Sequence, residues 1–81
     1  MDEKSDVISR RARELIDQYG ELLTLEEVGE VLRFPSIDAT RKAHQRKTLP
    51  VKVHKIVGRQ GLFATAVAVA GYLDGLDRGE A

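Results

Sequence analysis

Apolar residues recur along this chain first at helical and then at strand spacing. Ile8, Ala12, Leu15, Ile16 and Tyr19 follow at steps of four, three, one and three, the stripe of an amphipathic helix over residues 6–19. Ser5 is placed to cap it and Gly20 to close it, with Arg10, Arg11, Arg13, Glu14 and Asp17 on the opposite face. Leu23-Thr24-Leu25-Glu26-Glu27-Val28 opens a second helix. Thr24 and Glu27 have the spacing of a capping box, and Leu23 and Val28 that of a hydrophobic staple. Leu25, Val28, Val31 and Leu32 form its buried face, and it ends before Pro35, because the residue preceding proline avoids helical angles. Ser36 caps a third helix, Ile37 to about Lys47, with Asp38 in the first turn where its charge suits the helix dipole. Ile37, Thr40, Ala43 and His44 point inward; Asp38, Arg41, Lys42, Gln45 and Arg46 point outward.

Leu49-Pro50 ends the helical pattern. Val51-Lys52-Val53-His54 alternates apolar and polar, which predicts a strand over residues 51–56. Val57-Gly58-Arg59-Gln60-Gly61 is a turn, Leu62-Phe63-Ala64 a returning strand, and Thr65 the cap of a last helix, Ala66 to about Gly75. Val67, Ala70, Tyr72, Leu73 and Leu76 supply the buried contacts of that helix. Two short helices joined across Arg33-Phe34-Pro35-Ser36 are a helix-turn-helix candidate, and a hairpin after such a unit is a wing. The expected fold is therefore mainly α with a small β-hairpin: a winged helix-turn-helix of four helices and a two-stranded wing. Residues 6–76 form a single domain, between tails at 1–5 and 77–81.

Composition narrows the class. A chain of 81 residues makes one small domain whose core is marginal, so nearly every apolar position must contribute. The absence of cysteine excludes a disulfide framework and a thiolate metal site. The first residues lack the apolar centre of a signal peptide, and the longest uncharged run, residues 60–73, is too short for a bilayer. The expectation is a soluble, cytoplasmic protein with no membrane partner. Thirteen basic and thirteen acidic residues balance to a formal charge of zero, yet Ala39 to Leu73 contains no acid at all. That segment carries Arg41, Lys42, Arg46, Lys47, Lys52, Lys55 and Arg59. A cationic surface on an otherwise acidic protein attracts a polyanion locally, whatever the global sum.

The third helix is the candidate reading element, because a helix fits the major groove of B-DNA and bases are distinguished there by donor and acceptor pattern. Arg41, Lys42 and Gln45 lie on one face; Arg suits guanine O6 and N7, and Gln suits adenine N6 and N7. Ser36, Thr40, Arg46, Lys47, Lys52, His54 and Lys55 are the candidate contacts to the DNA backbone, and Arg59 and Gln60 on the wing those to a minor groove. A solvated basic helix presents the same charges without a partner; the two-helix unit and the hairpin tip the reading towards DNA. His44 and His54 have no neighbouring ligand at metal spacing, Glu26, Glu27 and Glu30 have no histidine at i+3 or i+4, and Ser5 and Ser36 are caps. No cofactor, no metal and no catalytic site are expected, and the chain reads as a non-enzyme.

With Thr24-Leu25-Glu26-Glu27-Val28, Pro35-Ser36, the basic helix, Leu49-Pro50-Val51, the hairpin and Val67…Tyr72-Leu73 in that order, residues 22–76 resemble the excisionase-like, MerR-type winged helix-turn-helix family. The resemblance implies a small DNA-binding protein of a phage or other mobile element. One branch of that family comprises recombination directionality factors, which bind repeated sites, bend DNA and steer an integrase towards excision; another regulates transcription. It implies that Arg41, Lys42 and Gln45 face the major groove and that Arg59 meets the adjacent minor groove or backbone. Partners implied are double-stranded DNA, further copies on adjacent sites, and an integrase or RNA polymerase. A module that binds an integrase or polymerase subunit through its first and last helices is the alternative outside DNA binding. Three positions depart from the family pattern: Lys47 stands where Gly is usual, Ala68 where an acidic residue is usual, and the first helix is an addition.

Overall fold

Side-chain hydroxyls decide where the helices begin. The computed structural model describes residues 9–79, and each of the four helices among these residues starts at a Ser or Thr whose oxygen accepts the otherwise orphaned N–H three residues on. They are α1 (Arg10–Tyr19), α2 (Leu25–Val31), α3 (Ile37–Gln45) and α4 (Ala66–Asp77). Ser9 caps α1; Ser5 and Ile8, expected to cap and open that helix, lie outside the described residues. The capping box of α2 is complete: Glu27 N donates to Thr24 Oγ1 at 3.1 Å, and Thr24 N to Glu27 Oε1 at 3.0 Å. Ser36 and Thr65 cap α3 and α4 as expected.

Among the described residues the sheet has three strands rather than two. β1 (Leu22–Thr24), β2 (His54–Lys55) and β3 (Leu62–Thr65) run antiparallel in the order β1-β3-β2. The added strand uses residues assigned above to a staple and a cap. An N-cap residue already has extended backbone angles, so Thr24 (φ −71°, ψ 164°) both ends β1 and caps α2, as Thr65 (φ −77°, ψ 149°) both ends β3 and caps α4. β2 is shorter than the expected strand over 51–56. In its register Val51 would fall opposite Ala66, where β3 has given way to helix, while Lys52 and Val53 lie outside the strand although Thr65 and Ala64 still belong to β3. Val51 instead enters the core.

That core joins Ala12 and Leu15 of α1, Leu23 of β1, Val28 of α2, Val51, Ala64 of β3, and Ala66, Val69 and Ala70 of α4. Leu23 and Val28 are both fully buried, as a staple requires. On α4 the expected contacts hold in part: Ala70 is buried and Tyr72 and Leu73 pack against the core, but Val67 and Leu76 are exposed, and Val69 is fully buried in their place. The first turns of α4 are apolar on all sides, so no polar face existed to reveal which side packs; the cap at Thr65 sets the phase. Arg11, read as part of the outer face of α1, turns towards α4 instead. Its guanidinium donates to Asp74 at 2.7 Å and to Asp77 at 2.8 Å, tying α1 to the closing helix. The hydrogen bond to Asp77 is the main reason its pKa rises above the ordinary arginine value.

Both turns flanking α3 close in the left-handed region without glycine. At the end of α2, Arg33 has φ 67°, with Arg33 N bonding Glu30 O and Phe34 N bonding Gly29 O. At the end of α3, Lys47 has φ 61°, with Lys47 N bonding His44 O and Thr48 N bonding Ala43 O. Both are the paired bonds of a Schellman motif. The end of α3 is therefore closed by a Schellman motif with a lysine, not a glycine, in its left-handed position.

Candidate nucleic-acid interface

At 100° per residue, Arg41, Gln45, Asp38, Lys42 and Arg46 sweep an arc of about 140° around α3, and all five are exposed. The opposite side is held down by Thr40, which is 1% exposed. Its Oγ1 donates to Ser36 O at 3.1 Å, and its side chain sits against Gly29 of α2. This corrects one expected contact. Thr40 is a packing residue at the α2–α3 crossing and has no free surface for a DNA backbone. Ser36 is exposed, but its hydroxyl is engaged as the cap of α3.

Across from α3 stands the β2–β3 hairpin, and the two enclose a groove of about 410 Å³. Arg41, His44 and Gln45 line it from α3, Gln60 and Phe63 from the hairpin, and Glu26 from α2. Three of the candidate readers, Arg41, Gln45 and Gln60, thus face a common space although Gln60 is fifteen residues beyond Gln45. Lys47 and Lys52 line a second groove, of about 550 Å³, with His44 and Gln45. Lys42 stands apart from both and forms an exposed ion pair with Asp38 at 3.5 Å, a contact weak enough in water to exchange for another anion. His54 and Lys55 are exposed on β2, opposite Phe63 and Leu62.

Arg59 does not extend from the hairpin tip as expected. Its guanidinium lies over the Phe63 ring, 4.9 Å from the centroid, a cation–π contact that leaves the residue exposed. Phe63 is therefore a support that sequence reasoning missed. Glu26 is a second omission: the acid-free segment is free of acids along the chain, but α2 brings this carboxylate to the lip of the same groove. Gly29 is the third. A glycine among good helix formers is unfavourable by about 1 kcal/mol relative to Ala, and that cost was the available signal of a packing role.

Among the described residues no three His, Cys, Asp or Glu side chains gather to hold a metal ion, and no helix is long and apolar enough to cross a membrane. No family model, curated protein or solved structure matches the chain.

Proposed function

We propose that this chain is a sequence-specific DNA-binding protein built as a winged helix-turn-helix. In this reading α2 and α3 are the helix pair, α3 enters the major groove, and the β2–β3 hairpin is the wing. The observation that carries it is the shared groove: Arg41 and Gln45 on an exposed helix face the same space as Gln60 on the hairpin. The side-chain types match the chemistry of base edges, a bidentate donor for guanine and an amide for adenine. Lys42 and Arg46 broaden the same exposed arc, and Lys47, Lys52, His54 and Lys55 surround it as backbone contacts. There is no catalytic step in this function; the protein acts as an architectural factor of the excisionase-like kind, binding adjacent sites of a mobile element. Bending follows from neutralising phosphates on one side of the duplex and from wing contacts.

The test is the salt dependence of affinity. If Lys42, Arg46, Lys47, Lys52 and Lys55 each neutralise one phosphate, the log–log slope of affinity against salt is about −4.5, at about −0.9 per contact. Fluorescence anisotropy with a labelled duplex measures it, and a slope near zero contradicts the proposal. Footprints beside an integrase attachment sequence support a recombination directionality factor; footprints flanking a promoter support a transcription regulator on the same scaffold.

A further inference from the structure

One apolar side chain, Val57, stands at the tip of the hairpin with no role in the core. Residues 56–59 form a tight turn closed by Arg59 N donating to Ile56 O at 3.0 Å, with Gly58 at φ 82° in the third position. A positive φ there is what a type II turn requires. Val57 is the second residue of that turn and is 100% exposed. A lone apolar residue on a surface is ordinary; the position of this one is not. The centre of a turn favours Pro, Gly, Asn, Asp or Ser, and a β-branched side chain standing wholly in water contributes nothing to the core. Lys55 precedes the turn and Arg59 closes it, so cations flank the valine on both sides. The Arg59 guanidinium is folded back over Phe63, while the valine side chain stands wholly in solvent.

We propose that Val57 meets DNA directly, packing its methyl groups against the deoxyribose rings that line the minor groove beside the segment read by α3. The inference rests on the DNA-binding reading above and adds to it an apolar contact at the end of the wing. Lys55 and Arg59 draw the tip to the phosphates; the valine fills the space between the sugar walls that a charged side chain would leave hydrated. Proteins that engage the minor groove commonly place apolar side chains there.

The test compares wild type, Val57→Ser and Val57→Leu on a single-site duplex recovered by selection with the wild type. Full exposure of Val57 keeps the fold out of the result, and thermal melting of all three variants checks this. Val57→Ser should bind about tenfold more weakly, the loss expected for returning some 60 Å² of apolar surface to water. Its salt slope should equal that of the wild type, since an apolar contact releases no counterions. Val57→Leu should retain wild-type affinity. Unchanged affinity of Val57→Ser on the single site overturns the inference, including the case in which only cooperative binding to two adjacent sites is lost, which would make the tip a contact between copies. Those results leave the DNA reading standing, whereas failure of the wild type itself to bind DNA with a salt-dependent affinity removes both.

Discussion

Gly29→Ala should destabilise the protein by about 1–3 kcal/mol, while Gly71→Ala should stabilise it by up to about 1 kcal/mol. The two substitutions are chemically identical and both lie inside helices, α2 and α4. On helix propensity alone each would be favourable, because Ala restricts the unfolded chain and exposes less backbone. Packing reverses the sign at Gly29. A methyl group there would overlap Thr40 Oγ1 and stand 3.1 Å from both Cβ and Cγ2 of Thr40, whereas nothing lies within 4 Å of one at Gly71. Thr40 cannot swing aside, since it is buried and hydrogen bonded to Ser36 O. The helices must then separate, moving α3 relative to the hairpin. For a domain of this size each kcal/mol shifts the melting temperature by about 4–8 °C, so thermal melts resolve the opposite signs. Adding Thr40→Ala to Gly29→Ala should recover part of the loss, because it removes the hydroxyl and one methyl but leaves Cβ in place; strict additivity of the two changes would contradict this account of the crossing.

Arg41→Ala should weaken binding to the preferred DNA site by about 1–3 kcal/mol and relax the preference at one base position, without lowering the melting temperature. Arg41 is exposed, lines the groove shared with the hairpin, and forms no ion pair among the described residues, so its guanidinium is available to a base. Lys42→Ala should act differently. Lys42 already pairs with Asp38 and lies outside the groove, so its loss should weaken all sequences by a smaller and uniform amount. Selection from a random duplex library with wild type and both variants checks the contrast. Uniform weakening by Arg41→Ala would make Arg41 a phosphate contact.

What was legible in the sequence is what local chemistry decides. The caps at Thr24, Ser36 and Thr65 depend on an oxygen reaching an N–H three residues away, and the end of α2 before Pro35 on a clash with the next residue. What was not legible depends on partners distant along the chain. β1 is three residues long and is recognisable only by its pairing with β3, some forty residues later. Arg11 reads as a surface residue of α1 until Asp74 and Asp77 stand beside it. Thr40 has a hydroxyl that suits a phosphate and a helical spacing that points it inward, and its burial against Gly29 decides for the second. The groove was half visible: helical spacing put Arg41 and Gln45 on one face, but the stacking of Arg59 on Phe63 and the intrusion of Glu26 require the third dimension.

The measurement closest to the central proposal is the change in backbone amide NMR shifts when a selected duplex is added to the labelled protein. The proposal predicts that the largest changes fall on Arg41, Lys42 and Gln45 of α3, on Arg46 at its C-cap and on residues 57–60 of the hairpin, with α1 and α4 little affected. Changes centred on α1 and α4, or spread without a focus over the surface, would contradict it.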